Sequence, residues 1–302
     1  MLAQSPRVPF PTRLARQLKR VTDLSSHARD DAAHDYQVVF QPLLRRLAAL
    51  PGLSLSRSRL LDFGCGFTYT MSLLFQPHVR EVVALDVAPT CRDHWWSALT
   101  GGGWRHPGHV AVAAADRSRV GAYYRHLETL TRQRLRHEEV DVRRYPGDRI
   151  PFPDGHFDCL ISNAVLQELP LPLETFAAEM ARVVRPGGWV DLEWHSFYSL
   201  HGHYLGAAES RSNPWGHLRG GPAHPALNRV RPEQVEQAFA SRFDEIRVLR
   251  HDRRHRIAGL DPDFAPEGLE LLTPELREEL ASYPEELLVT RGYILQARRR
   301  AA

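Results

Sequence analysis

Hydrophobic residues along the chain follow two patterns. Short apolar runs bounded by turns predict β-strands, and residues recurring at helical spacing predict amphipathic helices between them. The predicted strands include 60–63, 81–86, 157–163, 189–195, 243–249 and 292–297, and the predicted helices include 33–50, 231–240 and 273–288. Strands that alternate with helices in this way predict an α/β fold with a mainly parallel sheet.

The first predicted strand ends in a carboxylate and a glycine turn. Asp62 is followed by Gly64 and Gly66, and a helix-like segment begins near Thr70. The glycines allow a sharp turn and a close approach of a ligand to the backbone. A carboxylate at this position favours a ligand that carries positive charge over a phosphate.

The next predicted strand also ends in an acid. Glu81–Asp86 is an apolar strand, and Asp86 follows the glycine turn by the length of one helix and one strand. In doubly wound folds an acid at this place accepts hydrogen bonds from the hydroxyls of a ribose. A helix N-cap is the structural alternative for Asp86.

At these residues the sequence resembles the class I S-adenosylmethionine (SAM)-dependent methyltransferases. Asp62–Gly66 matches the D-x-G-x-G motif of that family, although Thr68 stands where a third glycine is common. Three later segments are similar to family motifs in the expected order: 150–163, 164–169 and 181–190. The resemblance implies a Rossmann-like, seven-stranded, mostly parallel sheet with helices on both faces and an antiparallel last strand.

The resemblance also implies which residues bind SAM. The glycine turn would lie near the methionyl part, Asp62 near its amino group and Asp86 at the ribose. The full set of implied cofactor residues is Asp62, Gly64, Cys65, Gly66, Thr68, Asp86, Val87, Asp148 and Asn163. The adenine contact is open, because Pro146 occupies the usual position of an acid, so that Asp148, Asp141 or Tyr145 could take the role.

Two long segments interrupt the predicted core and define the domain organisation. We expect an N-terminal helical segment over 1–58 and a methyltransferase domain over 59–302, with cap insertions over about 88–138 and 196–230. The second insertion follows the fifth strand, on the side of the sheet where open α/β folds bind ligands. The aromatic residues of both insertions could line a pocket or form core.

Composition excludes several classes of protein. The formal net charge is +3, which does not indicate a nucleic-acid-binding surface. The three cysteines form no C-x-x-C pair, which favours a reducing compartment. No apolar stretch has the length of a membrane span or of a signal peptide. We therefore expect a cytoplasmic protein that binds neither nucleic acid nor membrane.

Histidines near the fifth strand are the candidate catalytic groups. His195 ends that strand after Glu193, and histidine can take a proton near neutral pH. His201 and His203 are further candidates, and on an extended strand both rings would point to one face. Such a pair permits a metal, but no carboxylate or cysteine follows at ligand spacing, so we expect none.

The predicted function is methyl transfer from SAM to a small molecule, most simply to oxygen, with His195 as base and Glu193 orienting it. N-methylation, a peptide or protein acceptor, or a SAM-binding regulator without catalysis are the alternatives. A nicotinamide dehydrogenase is disfavoured by Asp62 and by Tyr69, which stands where the third glycine of its motif would be.

Overall fold

Seven strands form one sheet at the centre of the chain. The computed structural model describes residues 27–88, 90–92, 107–145, 147, 149–169 and 172–301, with the backbone alone for 107–116. The strands are β1 (Arg59–Phe63), β2 (Glu81–Asp86), β3 (Asp141–Arg144), β4 (Phe157–Asn163), β5 (Val184–His195), β6 (Phe243–His251) and β7 (Gly292–Arg299).

The strand order is β3-β2-β1-β4-β5-β7-β6. β1 to β5 pair in parallel, and β7 runs antiparallel to both of its neighbours, β5 and β6. The order reverses between β1 and β4, which is the topological switch point at which such sheets bind ligands. The predicted fold class is confirmed.

Helices cover both faces of this sheet. A continuous helical run, α1, comprises an α-helical part over 27–33, a π-helical part over His34–Phe40 and an α-helical part over Gln41–Ala48. The other helices are α2 (Thr70–Phe75), α3 (Pro107–Thr131), α4 (Leu173–Val183), α5 (Ala207–Ser212), α6 (Pro232–Ala240), α7 (Pro274–Glu279) and α8 (Glu285–Val289).

Alternation along the strands divides the core into two layers. Leu61 and Val83 pack with α4 and α6 on one face, whereas Leu60 and Val82 pack with α1, α2 and α3 on the other. Successive strand residues point to opposite faces, so strands covered on both sides must be apolar at nearly every position. This requirement explains the continuous apolar runs of the sequence.

A buried ion pair connects α1 to the sheet. The Arg46 guanidinium donates two hydrogen bonds, of 2.8 and 2.9 Å, to the carboxylate of Asp191 on β5. Gln296 on β7 donates a third hydrogen bond to the same carboxylate, which is 1% exposed. The described part of the predicted N-terminal segment, from residue 27, therefore packs on the sheet through both apolar and charged contacts.

The segment that follows β5 has a small core of its own. Trp215 is fully buried there, and its indole N–H donates to the carbonyl of Leu288 in α8. Leu200, Leu272 and Leu280 belong to the same apolar cluster. This region is thereby held against the carboxyl end of β5.

The structure differs locally from the predictions. Arg185–Gly188, expected as a turn before the fifth strand, is included in β5, with Gly187 at φ +75°. The helix expected over 273–288 is divided into α7 and α8. Trp95, Trp96 and Trp104 of the first insertion lie outside the described residues. Within the described part of the chain, no helix is both long and apolar enough to cross a membrane.

Candidate active site

The glycine turn after β1 uses its own N–H groups internally. Gly64 and Cys65 both donate to the carbonyl of Leu85, at 2.7 and 3.2 Å, and Gly66 donates to the Asp86 carboxylate at 2.9 Å. A phosphate-binding turn needs N–H groups directed at the ligand. Because these N–H groups are occupied, the turn suits a ligand other than a pyrophosphate.

The two glycines have different surroundings. Both have positive φ, +74° at Gly64 and +70° at Gly66. A Cβ at Gly64 would lie 2.2 Å from a methyl group of Val165, whereas one at Gly66 would meet nothing within 4 Å. A side chain at Gly64 would collide with Val165, so glycine is required there. The space beside Gly66 forms an open face that a ligand can approach.

Asp86 ends β2 beside this open face. Its two carboxylate oxygens accept from Gly66 N–H at 2.9 Å and from Ala88 N–H at 2.8 Å. An ionised carboxylate has about four lone-pair sites, so each oxygen can accept one further hydrogen bond. The two hydroxyls of a ribose would supply such donors.

Asp62 lies beneath the turn and is 2% exposed. Ser72 on α2 donates a 2.6 Å hydrogen bond to its carboxylate. Burial raises the pKa of Asp62 to about 6, although the bonds from Ser72 oppose the rise. A buried carboxylate of this kind gains from a nearby cation, such as the ammonium of a methionyl group.

The adenine side of the predicted site contains an exposed apolar residue. Val87 follows Asp86 and is 53% exposed, and the buried Tyr145 donates its backbone N–H to the carbonyl of Asp86. Asp141 pairs in register with Val83, at the other end of β3, and binds Arg143, so the alternative that placed Asp141 at the adenine is wrong. Asp148 lies outside the described residues.

The segment after β4 closes over the glycine turn. Asn163 is the last residue of β4, and Ala164 follows at φ +56°, a backbone conformation that is uncommon without glycine. This conformation places Val165 against Gly64. The segment after β4 and the glycine turn are therefore in direct contact.

Glu193 on β5 accepts a hydrogen bond from the segment after β4. Its carboxylate accepts from Ala164 N–H at 2.9 Å and lies 2.9 Å from Nε2 of His251. Burial alone would raise the pKa of Glu193, but the neighbouring His195 and the contact with His251 outweigh burial and lower it. Glu193 thus serves as a buried anion that joins β5, the β4 turn and β6.

His195 lies at the carboxyl end of β5 with both ring nitrogens engaged. Nδ1 makes a hydrogen bond with the Tyr204 hydroxyl, and Nε2 lies 3.5 Å from Glu193 Oε1. Burial lowers the pKa of His195 to about 4; Arg291 and His251 add to this effect and Glu193 opposes it. The imidazole is therefore neutral at physiological pH and can accept a proton.

His201 and His203 lie in a turn within the segment that follows β5. Both rings bind the hydroxyl of Ser210, at 2.5 and 2.7 Å. His203 is 1% exposed, and its Nδ1 accepts from the backbone N–H of Leu205. Both rings therefore make their hydrogen bonds within this loop. Among the described residues, no group of three or more potential ligands has the arrangement of a metal site.

Thr68 and Cys65 lie beside the glycine turn without a free polar group aimed at the open face. The Thr68 hydroxyl accepts from Thr70 at 2.9 Å, and its carbonyl accepts from Tyr124. Burial, with Asp62 and Asp86 nearby, raises the pKa of the Cys65 thiol. Cys65 is thus a packing residue of the turn rather than a reactive thiolate.

Sequence reasoning missed several residues of this site. Gln167 contacts His195, and His251 contacts Glu193 from another strand. Tyr204, which also contacts His195, was considered only as one of the aromatic residues that could line a pocket. Gly292 was missed as well: a Cβ there would lie 2.4 Å from His251 Nε2, so this glycine makes room for the ring. No local pattern marks these positions, because the contacts join β4, β5, β6 and β7.

Comparison with known proteins agrees with this geometry. Residues 107–191 match the family model described as a methyltransferase domain. A search of curated proteins found no match. The matched segment spans β3 and β4 and most of β5, and the glycine turn, Asp62 and Asp86 complete the cofactor edge of the same sheet. The fold is Rossmann-like, and residues 107–191 are similar to a methyltransferase domain.

Solved structures show only distant similarity. A chain from the Haloferax volcanii complex of the Trm112 methyltransferase activator with a protein named as a methyltransferase is 17% identical, with 92% of this chain and 97% of that chain covered and a TM-score of 0.47. A SAM-dependent methyltransferase of Mesorhizobium loti is 15% identical, with coverages of 89% and 99% and a TM-score of 0.44. Similarity at this level identifies no acceptor.

The contact between Gly64 and Val165 leads to a stability prediction. Gly64→Ala should lower the free energy of unfolding by about 2–5 kcal/mol, because strain at positive φ adds to overpacking against Val165. Gly66→Ala, with open space around it, should cost only the strain of about 1–2 kcal/mol. Urea denaturation measures both values. Adding Val165→Ala to Gly64→Ala should recover part of the loss; equal losses for the two glycine variants would contradict the contact.

Proposed function

We propose that the chain transfers the methyl group of SAM to a hydroxyl of a small molecule, with His195 as the base that receives the hydroxyl proton. The observation that carries the proposal is a neutral imidazole, backed by a buried carboxylate, at the carboxyl end of β5. A hydroxyl must lose its proton as it is methylated, and a positioned histidine contributes about 10²–10⁴-fold in rate. A neutral His195 meets this need.

The cofactor supplies an electrophilic methyl group when it is bound. The residues that would hold it are those of the open face: Asp86 at the ribose hydroxyls, Asp62 near the ammonium, Val87 and Tyr145 at the adenine, and Asn163 at the methionyl end. The spare lone pairs of Asp86 and the apolar exposure of Val87 support these positions. The Asn163 side chain makes no hydrogen bond to another described residue.

A small acceptor is supported by the way the second insertion returns to the site. The Asn228 backbone N–H donates to the carbonyl of Gln167 at 2.8 Å, and its side-chain amide donates to the carbonyl of Leu166 at 2.6 Å. These bonds hold the insertion against the segment after β4. An insertion held beside the site leaves less room for a polymer than for a metabolite.

N-methylation is the second candidate, because a protonated amine must also lose a proton before it can attack. His195 could serve that reaction with the same geometry. A SAM-binding regulator would need only the residues that bind the cofactor. The contacts of His195 with Tyr204 and Glu193 would then have no function in catalysis.

Asp86→Ala should weaken SAM binding about tenfold or more, because the ribose loses its acceptors. Isothermal titration calorimetry measures the dissociation constant. Asp141→Ala is a matched control: that carboxylate lies at the opposite end of the neighbouring strand, so SAM affinity should not change. Unchanged SAM affinity in Asp86→Ala would show that Asp86 does not bind the ribose.

His195→Gln should slow methyl transfer by about 10²–10⁴-fold and leave SAM affinity unchanged. Transfer of labelled methyl from SAM is measured on a panel of small phenols, alcohols and amines. Because the pKa of His195 is lowered to about 4, the fraction of neutral imidazole, and with it the wild-type rate, should fall only as the pH drops towards that value.

His78→Gln is the control for that experiment, since His78 precedes β2 at the opposite edge of the sheet. Its rate should equal that of the wild type. Full activity of His195→Gln at neutral pH would exclude His195 as the base. If only the amines of the panel are labelled, the reaction is N-methylation rather than O-methylation.

A further inference from the structure

Both nitrogens of the His195 ring face polar groups of the protein. Nδ1 is bonded to the Tyr204 hydroxyl and Nε2 faces Glu193. A neutral ring with its proton on Nε2 satisfies both contacts, because it directs N–H to the carboxylate and accepts from Tyr204 at Nδ1. The outermost polar atom of this chain of groups is therefore the oxygen of Tyr204.

We propose that Tyr204 is the catalytic residue that contacts the acceptor hydroxyl, and that it relays the proton to His195 behind it. The inference rests on the proposed function and refines it: His195 remains the final proton acceptor, whereas Tyr204 binds the acceptor. The site would then select acceptors whose hydroxyl can donate a hydrogen bond to a phenol oxygen.

The surroundings of Tyr204 fit this role. Its side chain is 37% exposed, in contrast to Phe197, Tyr198 and Trp215 of the same segment, which are buried. Tyr204 has φ +58°, an unfavourable conformation for a residue with a large side chain, and such strain is found most often at functional sites. The backbone thus holds this phenol at the surface, whereas the other aromatic side chains of the segment are buried.

Gln167 orients the Tyr204 hydroxyl. Its side-chain amide donates to the Tyr204 oxygen at 3.2 Å and to the carbonyl of Ala164 at 2.7 Å. A phenol oxygen can accept two hydrogen bonds and donate one. With one lone pair taken by Gln167 and the proton directed at His195, one acceptor position remains, and it is available to the hydroxyl of the substrate.

The proposed reaction is balanced in protons and electrons without another reactant. The acceptor oxygen forms a bond to the methyl carbon with its own lone pair, and the carbon–sulfur electron pair returns to sulfur. The acceptor proton passes to the Tyr204 oxygen as the Tyr204 proton passes to His195 Nδ1. The products are the methyl ether, neutral S-adenosylhomocysteine, neutral Tyr204 and an imidazolium at His195.

Glu193 would stabilise that imidazolium, since its carboxylate lies 3.5 Å from Nε2. The other charged or titratable groups that act on His195 are Arg291, His251 and His34, all of which oppose its protonation. Burial raises the pKa of Tyr204, so a free tyrosinate is disfavoured, and a relay in which both protons move together avoids it.

The test uses the full chain with labelled SAM and 4-nitrophenol as the probe, at one pH below and one pH above the ordinary pKa of the probe. Below that pKa the hydroxyl must lose its proton during transfer, so Tyr204→Phe and His195→Gln should each lower the rate of methyl transfer about tenfold or more. Above it the probe is already ionised, so the loss of rate in both variants should shrink. Tyr283→Phe is the matched control, since the Tyr283 hydroxyl makes no hydrogen bond to a described residue, and it should match the wild type.

The outcomes separate the relay from the proposed function. If Tyr204→Phe methylates the probe like the wild type below the pKa of the probe while His195→Gln does not, His195 reaches the acceptor directly: the relay is wrong and the proposed function stands. If both variants behave like the wild type, if their losses are equal above and below that pKa, or if the wild type does not methylate the probe at either pH, the relay is overturned together with the proposed base. Unfolding curves for each variant distinguish a local effect from loss of structure.

Discussion

The buried carboxylate of Glu193 is the interaction on which both halves of the site depend. It bonds to the backbone of Ala164 after β4, lies against His251 on β6 and faces His195. A buried anion is costly unless charge and hydrogen bonds compensate it, so these partners are held in fixed positions. The site is therefore built around a charge that cannot be left unpaired.

This constraint extends to the cofactor side. The bond from Ala164 to Glu193 fixes a turn at positive φ, the turn places Val165 on Gly64, and the glycine turn in turn bonds to Asp86 through Gly66. The position of the base and the shape of the cofactor face are thus joined by contacts between neighbouring strands. A substitution at the base or at the cofactor face would therefore alter the other through packing contacts.

The sequence predicted the sheet and the turn after β1 well, because both depend on local patterns. Buried strands need continuous apolar runs, and the turn between Asp62 and Gly66 needs glycine at positive φ. Tyr204 and His251 could not be found in this way, since their meeting with His195 and Glu193 depends on strand order and on space left by Gly292. The contact of His201 and His203 with Ser210 could not be predicted either, because the spacing of two histidines does not indicate a shared serine partner.

A crystal structure with S-adenosylhomocysteine tests the central claim most directly, namely that the glycine turn and the Glu193–His195–Tyr204 network form one active site. The account predicts that the ribose hydroxyls bond to Asp86 and that the sulfur lies on the side of the turn that faces Tyr204. A sulfur atom directed away from Tyr204, or a ribose with no contact to Asp86, would contradict it.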